Sequence, residues 1–436
     1  MNHSDLACTK ALLDFLEKSP VSFAAVEETE KRLNAHGYTR LSMQTPWTLQ
    51  KGGRYYVTRN GSSLIAFTLP ETSKNSFMIA ASHSDSPCFK LKNDCEVAAA
   101  SHYLKLNTEG YGGMIVSSWF DRPLSLAGRA IVKNGDVFET KVVMFDRDLC
   151  LIPNVCIHFN REINNGYKYN KAVDTLPLLA NTTEKGTIKK LVAQQLNVAE
   201  DAILSLDLYV INRTRGSVFG ADNAFFCAPR IDDLQCAYAT LEAFLNADAP
   251  KAIPAYALFD NEEVGSETKQ GAASMFLFDV LTRVAESRGL TLPEMLPASM
   301  MLSCDNGHAK HPNHPELSDA DNSPCLNGGV VIKHNANQRY TTDALSEALF
   351  AEICARAEVP VQHFANRSDI AGGGTLGSIS NTRVALKTVD IGLAQLAMHS
   401  AVETGGTADT AYMIRACKAF FETALQLNAD GAIELL

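Results

Sequence analysis

The hydrophobic pattern at the start of the chain predicts helices followed by strands. Apolar residues recur at helical spacing in two stretches within 5–36, and Gly37 follows the second stretch. Strand-like stretches then occupy 53–58 and 63–68, and the run FMIAAS at 77–82 is short and continuously apolar. A run of this kind suits a strand that is buried on both faces.

The pattern changes in the middle of the chain, over about 96–213. Asn134-Gly135 separates two alternating stretches and is a hairpin signal, because both residues tolerate positive φ. Further on, strands alternate with helices, which indicates βαβ units and a largely parallel sheet. We therefore predict an α/β fold with a mainly parallel sheet flanked by helices. It is formed by 1–95 and 214–436 and interrupted by a β-rich insertion.

The composition is that of an acidic globular protein. The 436 residues include 39 Lys and Arg against 49 Asp and Glu, a formal net charge of -10, which disfavours nucleic acid and anionic membranes as partners. No apolar run approaches the ~18 residues of a membrane span, and the first residues lack a signal-peptide pattern. The 11 cysteines have no CxxC or finger-like spacing, so reduced thiols are expected. These features predict a cytoplasmic protein.

Metal-capable side chains stand at or near the ends of the apolar strand candidates. They are His83, Asp232, Asp233, Glu262, Glu263, Asp305 and His399. The carboxyl ends of parallel strands form one edge of a sheet, where ligands bind. Imidazole and carboxylate at one edge suit a pair of divalent ions, with Zn²⁺, Mn²⁺ and Co²⁺ all compatible.

Each of these residues also has an ordinary structural explanation, such as a helix N-cap, a solvated pair or a structural histidine. Asp85 favours a metal role for His83, because residues i and i+2 of an extended segment share a face and a carboxylate there can hold the second imidazole nitrogen. Glu262 and Glu263 would point to opposite sides of an extended chain. One of them could then bind metal while the other takes a proton from metal-held water.

Six sequence blocks occur in an order that resembles the M18 family of aminopeptidases, the aspartyl aminopeptidase group. They are HSDSP (83–87), PRIDDL (229–234), FDNEEVGS (259–266), CDNGHAKHP (304–312), VIKHNANQRY (331–340) and QLAMHS (395–400). The similarity spans nearly the whole chain, including IHFNREIN (157–164) in the insertion.

The resemblance implies a co-catalytic site with two divalent ions per subunit, with Zn²⁺ as the first expectation. The implied ligands are Asp232 bridging both ions, His83 and Asp305 on one ion, and Glu263 and His399 on the other. Glu262 would be the general base, and Asp85 would orient His83. Asp233 is not a ligand by this match and is interpreted as a charge at the start of a helix.

Four other histidines have more than one possible role. Family members carry a histidine at the position of His158 that acts as a metal ligand or reaches a neighbouring subunit's active site. Five ligands already satisfy two ions that share a carboxylate and a water, so we favour the second role; an ordinary β-domain histidine is the alternative. His308, His311 and His314 have a tempting spacing, but Pro312 prevents a regular helix through them. We expect them to be structural or supporting residues.

Lys333 and Tyr340 resemble the family residues that line the pocket for the substrate's first side chain. An ammonium and a phenol suit a carboxylate there, whereas an ordinary surface lysine is the alternative. The stretch GGGTLG (372–377) lacks the Gly-Lys-Ser/Thr ending of a phosphate loop. Its glycines are expected to let backbone amides approach the substrate.

The resemblance therefore implies a zinc aminopeptidase that removes N-terminal residues, preferably Asp or Glu, from peptides. One ion would polarise the scissile carbonyl, and a bridging water, deprotonated by Glu262, would attack it. A di-metal deacylase or carboxypeptidase with the same chemistry is one alternative, and a non-catalytic assembly or cargo scaffold is another. The resemblance also implies a homo-oligomer, a tetrahedral dodecamer built through the insertion.

Overall fold

The structure is a computed structural model that describes residues 3–436. The chain divides into two compact units. The larger comprises the described residues up to Asp85, together with Gly216–Met398 and Glu403–Leu436, and the smaller comprises Ser86–Arg215 and His399–Val402.

Nine α-helices lie within residues 3–436. They are α1 (His3–Lys18), α2 (Ser22–Ala35), α3 (Thr187–Leu196), α4 (Ile231–Leu245), α5 (Phe276–Ser287), α6 (Leu292–Met295), α7 (Ala344–Arg356), α8 (Leu376–Ser380) and α9 (Asp409–Phe421). The helices α1 and α2 coincide with the two apolar stretches near the start of the chain. Among the described residues, no helix combines the length and the apolar character that crossing a membrane requires.

The same residues contain 22 strands. They are β1 (Thr39–Arg40), β2 (Arg54–Arg59), β3 (Ser63–Thr68), β4 (Phe77–His83), β5 (Cys88–Ala99), β6 (Tyr103–Tyr111), β7 (Leu124–Asn134), β8 (Val137–Met144), β9 (Leu178–Ala180), β10 (Ile203–Asn212), β11 (Ser217–Phe219), β12 (Phe225–Ala228), β13 (Ile253–Phe259), β14 (Met300–Cys304), β15 (Gly307–His308), β16 (Val330–His334), β17 (Val361–Ala365), β18 (Lys387–Gly392), β19 (Ala394–Leu396), β20 (Glu403–Gly406), β21 (Leu425–Leu427) and β22 (Ile433–Leu435).

A nine-stranded sheet forms the centre of the larger unit, in the order β1-β2-β3-β13-β4-β14-β18-β16-β17. Its four central strands, β13, β4, β14 and β18, are mutually parallel. Alternate residues of β4 face opposite sides. Met78 and Ala80 pack in one hydrophobic cluster with α4 and α9, whereas Phe77 and Ile79 pack in another with α5. The predicted α/β fold, with a mainly parallel sheet between helices, is confirmed.

Smaller sheets complete the larger unit. A five-stranded sheet has the order β11-β12-β20-β19-β15, and β21 pairs with β22. The pairing of β12 with β20 is antiparallel and aligns Ala228 with Glu403. Since α4 begins a few residues after β12, this pairing brings Glu403 close to the start of α4.

The smaller unit is built on a six-stranded sheet in the order β8-β7-β10-β5-β6-β9. Its pairings are antiparallel, and β7 and β8 form the hairpin expected at Asn134-Gly135, with Gly135 at a φ of 60°. The predicted boundary between 95 and 96 is too late, because β5 begins at Cys88 and pairs with β6 and β10 on the N-terminal side of residue 95. The segment 399–402 also belongs here, since Ala401 is buried in this unit's core.

Candidate active site

Three neighbouring strands of the central sheet carry acidic or histidine residues at their carboxyl ends. His83 is the last residue of β4, and Asp305 directly follows β14. β13 is followed by a short 3-10 turn, Glu262–Val264. Because these strands are parallel, their ends meet at one edge of the sheet, as the sequence predicted.

His83 directs one ring nitrogen toward two carboxylates. Its Nε2 lies 3.5 Å from Asp232 Oδ1 and 3.9 Å from Asp305 Oδ1. One ligand atom from each of His83, Asp232, Asp233 and Asp305 lies within 4.8 Å of the others, and all four residues are buried. An imidazole nitrogen and carboxylate oxygens that converge in this way are donors suited to zinc.

The charges around His83 favour a cation at this point. Burial by itself would lower the pKa of His83, but the carboxylates of Asp232, Asp233 and Asp305 outweigh it, and the pKa lies well above its ordinary value. Burial raises the pKa of Asp233, with repulsion from the neighbouring carboxylates adding to it. The donor set therefore fits a divalent metal ion, whose positive charge would stabilise these carboxylates in their ionised form.

Asp85 supports both His83 and the turn after β13. The Nδ1 atom of His83 is 3.1 Å from the Asp85 carbonyl oxygen and 3.4 Å from the carboxylate Oδ1. The same carboxylate accepts hydrogen bonds from the backbone N–H groups of Glu262, at 3.1 Å, and Glu263, at 3.2 Å. The sequence indicated the link to His83 but contained no signal for the bonds to the turn, which join residues far apart in the chain.

Glu262 and Glu263 lie in a 3-10 turn rather than an extended segment, so the expectation that they point to opposite sides of an extended chain is wrong. The turn follows Asn261, whose φ is 64°. One ligand atom each of His83, Glu262 and Glu263 lies within 4.8 Å of the others. Burial, with repulsion from nearby carboxylates, raises the pKa of Glu262 to about 8 and raises that of Glu263 well above its ordinary value. Both glutamates thus belong to the acidic cluster.

The first residues of α4 are not helical in their backbone angles. Asp232 has φ -80° and ψ 112°, and Asp233 has φ -115° and ψ 18°. The Asp233 side chain is fully buried, and its Oδ2 accepts a hydrogen bond from the His83 backbone N–H at 3.1 Å. Asp233 lies in the first turn of α4, as the sequence indicated, and its carboxylate is in addition bonded to β4.

A buried polar network lies beside the acidic cluster. The amide of Asn306 donates to Gln235 Oε1 at 3.0 Å and to Gln395 Oε1 at 2.7 Å. Glu403 Oε2 accepts a hydrogen bond from the Asp232 backbone N–H at 3.1 Å. Sequence reasoning missed these four supporting residues, which the packing of α4 against the strands brings together from distant parts of the chain.

Lys333 lies inside the protein, next to Asp305. Its side chain is 2% exposed, and its Nζ donates to the carbonyl oxygens of Asp305, at 2.7 Å, and Asn306, at 3.3 Å. The Nζ is also 3.6 Å from Asp305 Oδ2 and 5.2 Å from the centre of the Tyr340 ring. Lys333 therefore positions the segment that carries Asp305, a contact that the sequence did not indicate.

A pocket of about 310 Å³ in the larger unit brings several sequence-predicted residues together. Its lining includes His308, His311, Phe364, Gly372 and Gly373. The Tyr340 ring packs behind it, with its centre 6.3 Å from that of Phe364. His314 is not part of this lining; its ring centre is 5.4 Å from that of His311, and its Nδ1 is 3.1 Å from Glu316 Oε1. Within residues 3–436, the ligand atoms of the three histidines do not all come within 4.8 Å of one another, so they do not form one metal-binding group.

Two further candidates lie in the smaller unit. His399 Nδ1 is 2.6 Å from the Gly113 carbonyl oxygen, which requires this nitrogen to be the donor and leaves the lone pair on Nε2. A neutral histidine held in this way has the form that metal ligands usually take. His158 is exposed, in an irregular segment between β8 and β9.

The comparisons with known proteins agree with this geometry. Residues 15–421 match the family described as "Aminopeptidase I zinc metalloprotease (M18)". A protein of Clostridium acetobutylicum named "Probable M18 family aminopeptidase 2" is 41% identical over 429 residues, which are 96% of this chain and 99% of that protein.

Two solved structures extend the likeness to the fold. The "Cryo-EM structure of the Ape4 and Nbr1 complex" matches with a TM-score of 0.93 and 32% identity, over 96% of this chain and 86% of that one. The "Structure of S. cerevesiae mApe1 dodecamer" matches with a TM-score of 0.85 and 26% identity, over 96% and 97% of the two chains. The motifs, the metal-compatible cluster and these matches together lead to one conclusion: the chain belongs to the M18 family of zinc metallo-aminopeptidases.

Proposed function

We propose that this metallo-aminopeptidase removes Asp or Glu, in preference to other residues, from the N-terminus of peptides and uses two zinc ions per subunit. The observation that carries the proposal is the convergence of His83, Asp232, Asp305 and the two glutamates of the turn at one edge of the sheet. Bound zinc ions supply Lewis acidity and a nucleophile that is available at neutral pH.

The proposed ligands divide into two sets that share Asp232. His83 and Asp305 complete the first set, and the distances from His83 Nε2 to both aspartates support it. Glu263 and His399 complete the second. A short distance supports Glu263, because one of its carboxylate oxygens lies within 4.8 Å of a carboxylate oxygen of Asp232. His399 enters the proposal through its position in the QLAMHS motif.

Glu262 is the proposed general base. Its carboxylate would accept a proton from the attacking water and pass it to the leaving amine, as general acid–base catalysis requires. Its pKa of about 8 reflects burial among carboxylates. Cations in the cluster would lower that pKa and leave Glu262 ionised, so that it can accept the proton. Asp85 would position Glu262 through the backbone of the turn.

The preference for acidic residues rests on Lys333 and Tyr340. Lys333 is the buried cation next to Asp305, and Tyr340 packs between it and Phe364, which lines the pocket. A positive charge behind a pocket stabilises a carboxylate that enters it. The three acceptors already near the ammonium limit this effect, so we expect a preference for acidic residues rather than strict exclusion of others.

The test combines metal analysis with a comparison of substrates. The purified protein should contain two zinc ions per chain and cleave Asp-p-nitroanilide faster than Leu-p-nitroanilide. Cleavage of N-acyl amino acids without cleavage of either anilide would indicate the deacylase alternative. A protein with full metal content that cleaves none of these substrates would support a scaffold role instead.

We also propose that the protein acts as a tetrahedral homododecamer. The related S. cerevisiae protein is described as a dodecamer, and the smaller unit exposes apolar side chains on both sides of His158. Phe159 is 87% exposed, and Ile157 and Val155 are 50% and 52% exposed. Apolar groups exposed together in this way commonly mark a contact surface.

His158 would then reach the active site of a neighbouring subunit. We expect His158→Ala to keep its metal ions and its oligomeric mass but to lose most of its turnover, whereas His102→Ala, at another exposed histidine of this unit, should be active. Reassembly of mixed His158→Ala and Glu262→Gln chains should restore part of the activity, because some sites then combine an intact Glu262 with an intact neighbouring His158. Metal loss in His158→Ala, or no rescue in verified mixed oligomers, would contradict this role.

All 11 cysteines are free thiols. Proteins of reducing compartments retain thiols in this state. This supports the further proposal that the enzyme works in the cytoplasm. Fractionation of cells followed by immunoblotting of the protein would test it.

A further inference from the structure

A second group of metal-capable side chains lies on the larger unit, apart from the residues of the proposed active site. It consists of His334, Glu347 and His363, with one ligand atom of each within 4.8 Å of the other two. His334 ends β16, His363 lies in β17, and Glu347 lies in the first turn of α7. The three side chains are 32 to 47% exposed, so an ion could reach them from solvent.

The backbone brings these side chains together in a defined way. β16 and β17 pair in parallel with Ile332 opposite His363, so His334, two residues further along, points to the same face as His363. The start of α7 is held by a capping box, in which the Asp343 side chain accepts a hydrogen bond from the Ser346 N–H at 2.8 Å. All three side chains are therefore presented by ordered elements.

The distances within the group are longer than hydrogen bonds and close to the separation of two ligand atoms on one metal ion. Glu347 Oε1 is 3.5 Å from His363 Nδ1 and 3.8 Å from His334 Nε2. Hydrogen bonds between such atoms are ~2.7–3.2 Å long. Ligand atoms at ~2.0–2.1 Å from a tetrahedral zinc ion are ~3.3–3.4 Å apart. A small inward movement of the side chains would thus bring the three atoms into contact with one ion.

We propose that His334, Glu347 and His363 form an additional metal site that binds one Zn²⁺ or a similar transition-metal ion. Two imidazoles and one carboxylate, with a fourth position for water, are a common zinc donor set. Mg²⁺ prefers oxygen ligands in octahedral geometry and fits this group poorly.

An ion at this position would connect β16, β17 and α7. Because it would bind the folded state and not the unfolded chain, it should raise the Tm of the protein. The effect does not depend on peptide hydrolysis, so the site can be tested whether or not the proposed substrate preference is correct.

The experiment is equilibrium dialysis of protein that already holds its catalytic metal. After free metal has been removed, the protein is dialysed against Zn²⁺, and bound zinc is measured by mass spectrometry. We expect one more zinc ion per chain in the wild type than in His363→Ala or Glu347→Gln, and a higher Tm in the wild type with Zn²⁺. His36→Ala, which removes an exposed histidine outside the group, should bind as the wild type does. An excess of Mg²⁺ should not displace the additional ion.

Equal zinc content in the wild type and in both variants would overturn the proposal. Displacement of the additional ion by Mg²⁺ would also overturn the assignment, because that result indicates a site made of oxygen ligands. If His363→Ala does not fold, Glu347→Gln decides the question, since it preserves the shape of the side chain. Unchanged aminopeptidase activity in Glu347→Gln would show that the variant is folded and that its catalytic ions are retained.

Discussion

Replacing Asp85 with asparagine tests whether its carboxylate positions the Glu262–Val264 turn. The two carboxylate oxygens of Asp85 accept hydrogen bonds from the backbone N–H groups of Glu262 and Glu263, at 3.1 and 3.2 Å. Asparagine has the same shape but offers one acceptor oxygen, and its NH₂ group would face the other N–H. At least one hydrogen bond to a charged group is therefore lost in Asp85→Asn.

The structure allows the size of the effect to be worked out. A hydrogen bond to a charged group contributes about 1.5–3 kcal/mol. Asp85 is buried, so solvent does not screen the interaction. If this energy serves to hold Glu262 in its catalytic position, kcat should fall about tenfold to a hundredfold, since ~1.4 kcal/mol corresponds to a factor of ten. Metal content should be close to that of the wild type, because the closer contact of His83 Nδ1, 3.1 Å, is with the Asp85 backbone carbonyl oxygen, which the substitution keeps.

The assay measures kcat for an N-terminal Asp substrate together with zinc per chain. Asp14→Asn is a suitable control, because it removes an exposed carboxylate that forms a 2.7 Å ion pair with Lys18 on the surface of α1. A wild-type kcat in Asp85→Asn would refute the positioning role. Loss of zinc in proportion to the loss of activity would instead indicate that Asp85 acts through the metal site.

Three further predictions concern the acidic cluster and its neighbour. Glu262→Gln should keep its metal and lose about 10²–10⁴-fold in kcat, whereas Glu263→Gln should lose metal. If metal analysis shows the reverse, Glu263 is the general base and Glu262 is the metal ligand. Asp232→Ala should bind less metal than Asp233→Ala, because a bridging carboxylate serves two ions whereas the Asp233 carboxylate bonds to the His83 backbone N–H. Equal losses of metal in the two variants, measured by mass spectrometry, would contradict this. Lys333→Met should lower kcat/KM for Asp substrates more than for Leu substrates, and a uniform loss would mean that Lys333 acts only by positioning Asp305.

Much of the fold could be predicted from local patterns. The apolar run at 77–82 became the buried strand β4, and the stripes near the start became α1 and α2. These predictions succeed because the period of apolar residues reflects which face of an element is buried. The predicted convergence of His83 and Asp305 at one sheet edge followed from the parallel arrangement of the strands.

Other predictions failed where distant parts of the chain control local structure. The turn at Glu262–Val264 is held by Asp85, so local pattern gave no reason to expect a 3-10 conformation there. The bond between the Asp233 carboxylate and the His83 backbone N–H was not predicted, because it joins residues far apart in the chain. The boundary between the units was placed too late because β5 finds its partners in β6 and β10.

The sequence by itself determined the class of fold, because the spacing of apolar residues reflects which face of each element is buried. It also supplied the candidate donors, through motifs that resemble the M18 family. Only the tertiary structure decided how those donors are supported. The contacts of Asp85 with the turn, of Lys333 with Asp305 and of Glu403 with Asp232 each join residues from different strands or helices. The group His334, Glu347 and His363 likewise exists only once β16, β17 and α7 are packed together. Such contacts depend on strand pairing and helix packing across long sequence separations, which no local pattern records.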